Sequence, residues 1–391
     1  MKGLNHQDTK QVNKSLLVKL IAIQGPISRI RMSEITGLSK MTITNLVGEF
    51  IRDGIVSEHG TDESTSGRKP VMIDIVNDCL LTLGVYIGLE NVVVSVINLK
   101  GASLCAERMK VSPDDTEKTF LRKLNMLIDS VLTDDIRGKL WGIGISAAGQ
   151  IDAIEGVLTK PVGMPNLKNF NIVQKLSELY KLPAYLETDM NISALAEMYY
   201  GNAKKLSNFV YVGLPGSLGA GLIIDRKLFH GQHGYAGGLA HMMVDINGET
   251  CPCGSKGCLE QYIGLSELEI WVNKMRTEKA LPPQSLSWLS LIAGAEDGDE
   301  ICEAAMDRIC RYLGTAISNC IHVVDPECVY IGGEVGLVSE KVLKYLNKYI
   351  DSVKLSPSSA SAYIQSSRFP GNAAVIGTAA LVMESNLKGK E

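Results

Sequence analysis

The sequence predicts an α/β protein in which one strand-and-helix pattern occurs twice, preceded by a small helix-turn-helix module. Three observations lead to this prediction. Apolar residues follow helical spacing near the N-terminus, runs of buried-strand character with glycine turns occur in two sets after residue 78, and charge is unevenly distributed. Residues 1–52 hold eight Lys and Arg against three Asp and Glu, whereas the whole chain has a net charge of −4. A basic end on an acidic body is expected when that end meets phosphate.

The first 77 residues are expected to form a winged helix-turn-helix. Apolar spacing and breakers predict three helices, at about 12–24, 27–36 and 40–52. Gly37 makes the turn between the second and third helices, and Ser39 is the expected N-cap of the third. Two short helices joined at a glycine place the later one in the DNA major groove. Two β-rich segments around a polar tip then form a hairpin wing.

The residues expected to contact DNA are short polar or basic side chains on the second helix, at the start of the third helix and on the wing. They are Arg29, Ser39, Lys40, Thr42, Thr44, Asn45, Arg68 and Lys69. Such groups suit base edges and phosphates, and a wing can reach a phosphate or a minor groove. The alternative is a three-helix protein-interaction domain in which Arg68 and Lys69 are only solvated.

From about residue 78 the pattern changes to strands, glycine turns and crossover helices. The first set is predicted at 81–90, 91–99, about 115–133 and 140–146, and the second set at 209–225, about 299–322 and 328–334. This repetition predicts a duplicated α/β fold with a cleft between its halves.

A histidine and three closely spaced cysteines predict a structural Zn²⁺ site. The ligands are His241, Cys251, Cys253 and Cys258. Three thiolates and one imidazole suit a closed tetrahedral site, which leaves no position for a reactive water. Gly254 and Gly257 let the short loop turn so that the sulfurs face one ion. The alternative is three reduced cysteines that fall close together by chance.

Composition describes a cytoplasmic globular protein of two or three domains, with 45% hydrophobic and 21% charged residues in 391. No apolar signal-peptide core or membrane span is expected. The six cysteines outside the cluster look like reduced core residues.

The body resembles the ROK family, whose name covers repressors, open reading frames and sugar kinases. The resemblance spans about 78–391 and rests on Gly142–Gly149, Pro165–Leu167, Glu187–Asn191, Gly213–Gly221, His241 and Cys251–Glu260. It implies an actin-like, duplicated sugar-kinase fold of two lobes, with the C-terminal helix returning to the first lobe. Residues 1–77, which include Ser66–Pro70, look like the winged helix of the family's repressors, such as those controlling xylose operons.

The resemblance also implies sugar-binding residues, namely Asn166, Asp189, His241 and Glu260. Asp189 matches the family's catalytic base, and the alternative is that it caps the following helix. A glutamate that contacts sugar in the family is Gly238 here, which opens space and leads us to expect a disaccharide or larger glucoside.

The phosphate-handling motifs of family kinases are altered in this sequence. Tyr86 replaces an acid, Leu89 a glycine, Glu90 a threonine and Asn91 a lysine. The second phosphate loop, at 215–221, is altered as well. Gly332-Gly333 match the adenosine position, but glycines at a strand end are common turn residues. These losses predict a protein that is not an enzyme.

The sequence therefore predicts a sugar-responsive, DNA-binding transcriptional repressor of a carbohydrate-utilisation operon, which a sugar inducer releases from a palindromic operator. A homodimer, or a tetramer, would bind two half-sites and lie with the nucleoid in the cytoplasm. The alternatives are an ATP-dependent sugar kinase with an added N-terminal domain and a zinc-stabilised interaction protein that binds no DNA.

Overall fold

The computed structural model describes residues 6–61, 70–214, 218–333, 342–347, 349 and 364–387. Contacts divide the chain into two compact units, the first comprising residues 1–188 and 375–391 and the second residues 189–374. The C-terminal segment thus groups with the first unit. The boundary expected at residues 77/78 stays a prediction.

The N-terminal part of the first unit consists of three helices and a small antiparallel sheet, which we call the head. Its elements are α1 His6–Gln24, β1 Ile27–Ser28, α2 Arg29–Thr36, α3 Lys40–Arg52, β2 Val56–Thr61 and β3 Val71–Ile75. The strand order is β1-β3-β2. Helix α1 begins six residues before the expected Val12, because residues 6–11 contain neither glycine nor proline to interrupt it.

The second and third helices differ in how well the sequence predicted them. Helix α2 starts at Arg29, not at Ile27, because Ile27 and Ser28 pair with β3 and Ser28 caps the helix by accepting a hydrogen bond from the Arg31 N–H. Helix α3 has the predicted bounds, and Ser39 caps it by accepting from the Thr42 N–H. Its predicted buried stripe is also confirmed, comprising Ile43, Leu46, Val47 and Phe50.

The rest of the first unit is a five-stranded sheet with helices and a small second sheet. Its elements are β4 Leu81–Ile87, β5 Asn91–Asn98, β6 Ser103–Lys110, α4 Glu117–Val131, α5 Asp134–Lys139, β7 Leu140–Ala147, β8 Gly149–Asp152, β9 Val157–Pro161, β10 Phe170–Asn171, α6 Ile172–Tyr180 and β11 Ala184–Thr188. The large sheet has the order β11-β7-β4-β5-β6 and the small one β10-β9-β8. Strand residues such as Val85 and Ile145 pack in one core with Phe120, Leu124 and Ile128 of α4.

The second unit has its own five-stranded sheet, of order β14-β13-β12-β15-β16. Its elements are α7 Asp189–Tyr199, β12 Phe209–Gly213, β13 Gly219–Ile224, β14 Lys227–Leu228, a 3₁₀ turn Leu239–His241, α8 Glu260–Ile263, α9 Leu265–Glu278, α10 Trp288–Glu296, α11 Glu300–Val324, β15 Cys328–Gly332, β16 Ile364–Ser366 and the start of α12 Ala373–Leu387. Val212 and Ile331 pack in a second core with Met306, Ile309 and Leu313 of α11.

The two large sheets share one topology. In each, the first three strands in sequence are antiparallel neighbours, and two later strands join them in parallel on the side of the first strand. The duplicated α/β fold is therefore confirmed. In the described part of the chain, no helix has the length and apolar character that crossing a bilayer requires.

Candidate functional site

The four predicted metal ligands lie together in the second unit. Their ligand atoms all fall within 4.8 Å of one another. Cys251 Sγ lies 3.7 Å from His241 Nδ1, and Cys253 Sγ lies 3.6 Å from Cys258 Sγ. Bond lengths of about 2.3 Å to sulfur and about 2.0 Å to nitrogen in a tetrahedral zinc site require ligand separations of roughly 3.5–3.8 Å. The cluster could therefore hold one metal ion, and its thiol and imidazole donors are those that Zn²⁺ prefers.

The loop that carries the cysteines turns at two glycines in the left-handed region, Gly254 with φ of 95° and Gly257 with φ of 66°. A Cβ at Gly257 would lie 1.7 Å from the Asp245 carbonyl oxygen, so only glycine fits there. The loop is held by backbone hydrogen bonds, including one from the Cys251 N–H to the Ser255 carbonyl oxygen at 2.8 Å. This geometry confirms the expected role of both glycines.

The electrostatics of the cluster also suit a cation. Burial, with neighbouring thiols, raises the pKa of Cys258 to about 12. A thiol in such a place stays protonated unless a positive charge compensates the thiolate, and a metal-bound thiol is deprotonated outright. The same donor set therefore becomes favourable once a divalent ion is bound.

Three of the four predicted sugar ligands lie in the second unit. Asp189 is 3% exposed and opens α7, where its Oδ1 accepts from the Met190 N–H at 3.0 Å. It therefore has the helix-terminal position that the alternative interpretation gave it. Glu260 opens α8 directly after the metal loop, and its Oε2 lies 3.8 Å from His241 Nδ1. At Gly238 an added Cβ would lie 3.4 Å from the Tyr235 carbonyl oxygen, an ordinary van der Waals contact, so the space expected for a larger ligand stays a prediction.

The fourth sugar candidate, Asn166, lies in the first unit, in the exposed loop between β9 and β10. Its Nδ2 donates to the Pro113 carbonyl oxygen at 3.0 Å. The amide oxygen keeps its acceptor capacity for a hydroxyl group.

The turn that would approach phosphate in a kinase is closed as a β-hairpin here. The Gly88 N–H donates to the Asn91 carbonyl oxygen at 3.0 Å, between β4 and β5. Tyr86 is 7% exposed within β4. Gly333 lies so close to Leu214 that a Cβ would overlap its carbonyl oxygen, which gives this glycine a packing role. Residues 215–217 of the second phosphate loop lie outside the described residues.

The predicted DNA-facing residues of α3 divide into two groups. Three hydroxyls bond within the helix. Ser39 Oγ lies 2.9 Å from Thr42 Oγ1, and the Thr44 hydroxyl donates to the Lys40 carbonyl oxygen at 2.8 Å. Lys40 and Asn45 are exposed, and neither forms a hydrogen bond or ion pair through its side chain with the described residues.

Ion pairs engage several basic residues of the head. Arg29 Nη2 donates to Glu58 Oε1 at 2.8 Å and so joins α2 to β2. Lys10 and Lys14 both bind Glu49, each at 2.7 Å, which joins α1 to α3. Fewer unpaired cations are therefore available to a partner than the number of Lys and Arg in the sequence indicates. Arg68 and Lys69 lie outside the described residues, so their predicted contacts stay predictions.

Two exposed residues of α3 were missed by sequence reasoning. Met41 is 71% exposed, and Arg52 lies exposed in the last turn. Helical periodicity places residues 41, 45, 48 and 52 along one side. This periodicity can be read from the sequence, but the predicted DNA contacts included only polar and basic residues and therefore omitted Met41.

The fold defines the class of this protein, which has an actin-like sugar-kinase fold preceded by an N-terminal winged helix-turn-helix. A model of the ROK family matches residues 82–385. This chain belongs to the ROK family.

Three known proteins are similar to this chain over most of its length. It is 29% identical to the xylose repressor of Caldicellulosiruptor bescii, with 99% of each chain covered. The crystal structure of a ROK family transcriptional regulator, a homologue of the E. coli Mlc protein, has a TM-score of 0.79 and 26% identity over 98% of each chain. A ROK glucokinase from Streptomyces griseus, solved with glucose and AMPPNP, has a TM-score of 0.67 and 22% identity, covering 77% of this chain and 98% of its own. The glucokinase likeness concerns the fold.

Proposed function

We propose that this protein is a transcriptional repressor that binds operator DNA through its head and leaves it when a sugar binds the body. The observation that carries this proposal is the full-length match with a repressor. The C. bescii xylose repressor aligns over 99% of both chains, so the likeness includes the head as well as the body. The glucokinase fold covers only 77% of this chain.

The head supports DNA binding through its exposed helix. Helix α3 is packed on one side by its apolar stripe, and its other side presents Lys40, Asn45 and Arg52 to solvent. Amide and cationic groups at the surface of such a helix suit base edges and phosphates. The carboxylate of Glu49, the acid within α3, is bound by two lysines of α1, which reduces its repulsion of a polyanion.

The support for a sugar ligand comes from the side-chain chemistry of the body, because carboxylates, an imidazole and an amide are groups that bond sugar hydroxyls. We assign this role to Asn166, Asp189, His241 and Glu260. Zinc would be structural, since four protein ligands close the coordination shell. It would fix His241 and, through the start of α8, the carboxylate of Glu260. The lack of a side chain at Gly238, where the family has a glutamate, favours a ligand larger than a single monosaccharide.

Sugar phosphorylation is the second candidate function, favoured by the fold of the ROK glucokinase. Two local features argue against it. The Gly88 N–H is used by the hairpin, and Glu90 would add negative charge beside a polyphosphate. We therefore assign the protein no enzymatic activity.

The same proposal includes a cytoplasmic homodimer. Two heads on one palindromic operator would bind half-sites separated by whole helical turns. A sugar can release this complex only if it binds the non-DNA-binding arrangement more tightly than the DNA-binding one.

The test is a binding selection from random duplexes with the full-length protein, followed by titration of the selected duplex with and without a panel of pentoses, hexoses and disaccharides. We expect one sugar class to raise the DNA dissociation constant. Lys40→Ala should weaken binding and reduce the slope of log K against log salt by about 0.9 for each bound head, or about 1.8 for the dimer. Lys175→Ala removes the same charge from an exposed position on α6 and is the matched control.

Two outcomes contradict the proposal. Failure to select any specific duplex argues for the interaction protein that binds no DNA. Sugar-dependent release of ADP from ATP, measured with the same sugars, establishes the kinase.

A further inference from the structure

The recognition surface of α3 contains fewer free hydroxyl donors than its sequence indicates, and this follows from the hydrogen bonds of the helix itself. The Ser39 side chain accepts from the Thr42 N–H at 3.1 Å and lies 2.9 Å from the Thr42 hydroxyl. The Thr44 hydroxyl donates to the Lys40 carbonyl oxygen at 2.8 Å. These bonds use the hydroxyl groups within the first turns of α3, so the hydroxyls serve to stabilise the helix. Other residues must then supply most of the sequence discrimination.

One side of α3 offers an apolar contact in place of those donors. Met41 is 71% exposed, the largest exposure of any large hydrophobic residue in the described part of the head. Asn45, Gly48 and Arg52 follow it along the same side at helical spacing. A Cβ at Gly48 would meet nothing within 4 Å, so packing within the described protein does not require a glycine there. The bare backbone lets another molecule approach closely.

The charges around Met41 favour a polyanion over an apolar protein partner. Lys40 precedes Met41 in the sequence, and Arg52 lies at the C-terminal end of the same exposed side of α3. Neither cation forms an ion pair with the described residues. The carboxylate of Glu49 is bound by the two lysines of α1 at 2.7 Å each. An apolar side chain between two free cations, on a helix docked in a major groove, faces base edges while the cations face phosphates.

In the major groove, the apolar feature that distinguishes one base pair from another is the 5-methyl group of thymine. The side chain of methionine carries no hydrogen-bond donor and is flexible and polarisable. These properties suit contact with a methyl group. We propose that Met41 determines operator specificity by packing on the 5-methyl group of one thymine in each half-site. This inference rests on the proposed function, because it requires that α3 bind duplex DNA.

The experiment replaces thymines of the selected duplex, one symmetric pair at a time, with deoxyuridine, which removes only the methyl group. Dissociation constants are measured for the full-length wild type, Met41→Ala and Met41→Leu. At one thymine position, replacement by deoxyuridine should weaken wild-type binding about fourfold per half-site. This factor corresponds to about 0.8 kcal/mol, the value for burying one methyl-sized group. Met41→Ala should bind both duplexes equally, while Met41→Leu should retain part of the discrimination.

Met126→Ala is the matched control, because Met126 is a 68% exposed methionine on α4. It should leave the affinity and the discrimination unchanged. Thermal unfolding of each variant verifies that the fold is intact. The inference is overturned if every deoxyuridine duplex binds like the parent, or if Met41→Ala keeps the wild-type discrimination. Both results leave the repressor proposal standing, whereas failure to select any specific duplex refutes the repressor proposal itself.

Discussion

Replacing Lys100 with Met should loosen the contact between the head and the sheet of the first unit. Lys100 lies in the turn between β5 and β6, and its Nζ lies 2.5 Å from Oδ2 of Asp74 in β3. The side chain of Asp74 is 7% exposed and that of Lys100 is 33% exposed. The other carboxylate oxygen, Oδ1, accepts from the Ile75 N–H at 2.8 Å. The variant leaves a buried carboxylate without its cation.

The turn that carries Lys100 is itself fixed, so the lysine is held in place for the pair. Asn98 Oδ1 accepts from the N–H groups of Lys100 and Ala102, both at 3.0 Å. Asn98 Nδ2 donates to Asp78 Oδ1 at 3.2 Å, directly after the head. On the other side of the carboxylate, a Cβ at Gly25 would lie 2.5 Å from Asp74 Oδ1. There is thus little room for Asp74 to turn toward water.

The magnitude follows from distance and burial. At this separation and an effective dielectric of about 20, the gross attraction is about 7 kcal/mol, most of which offsets the desolvation of the two ions. Removing one partner of a fully buried pair costs about 3–5 kcal/mol. Because a third of Lys100 remains exposed, water relieves part of this cost. We expect the opening free energy of β3 to fall by about 2 kcal/mol.

Hydrogen exchange measured by mass spectrometry on peptides that cover β3 is the appropriate assay, because a chain of two units need not unfold in one step. Lys139→Met is the matched control, since Lys139 forms an exposed pair with Asp135 at 2.8 Å. Exposed pairs of this spacing contribute about 0.5 kcal/mol or less. Adding Asp74→Asn to Lys100→Met should restore part of the protection, because the buried charge is removed. Equal exchange in the Lys100 and Lys139 variants would refute the reasoning.

Three further predictions concern metal, pH and helix capping. Cys253→Ser should lower zinc content below one ion per chain, measured by elemental mass spectrometry, whereas Cys320→Ser on α11 should retain it. Two lysines hold the pKa of Glu49 at about 2, below its ordinary 4.5, so the α1–α3 contact should be fully stabilised above pH 4.5 and weaken as pH falls toward 2. Hydrogen exchange of α1 checks this, and Glu49→Gln should lack the pH dependence. Asp299→Ala should destabilise α11 by about 1 kcal/mol in exchange measurements, because Asp299 accepts from two N–H groups at the helix start, while Asp299→Asn should cost less.

Features set by neighbouring residues were predictable from the sequence. The cap at Ser39 and the buried apolar side of α3 depend on one helix, and the grouping of His241 with the three cysteines depends largely on one loop. The expected glycines, Gly254 and Gly257, adopt the left-handed conformation that folds this loop back. In each case the interacting residues lie within a few positions of one another in the sequence, or their spacing allows few other geometries.

Features set by distant residues were not predictable in the same way. Ile27 and Ser28 become a strand only because β3, more than forty residues later, pairs with them. The guanidinium of Arg29 is chemically suited to bind phosphate, yet its partner in the structure is Glu58. Residue type alone does not distinguish a hydroxyl that caps a helix from one that reads a base. Tertiary pairing therefore decides which polar residues remain available to a ligand.

The metal loop illustrates how a local motif acquires a wider role through packing. Helix α8 follows it at once, and Tyr262 of that helix donates to Asp245 at 3.1 Å and stacks on Tyr312 of α11, with ring centroids 4.1 Å apart. The guanidinium of Arg308 lies 5.2 Å from each of these ring centroids and donates to the Tyr262 carbonyl oxygen at 3.1 Å. Because α8 is only four residues long, it depends on these contacts and on the loop for its position. An ion that ordered the loop would therefore also position Glu260, and under the proposed function zinc would influence sugar binding without touching the sugar.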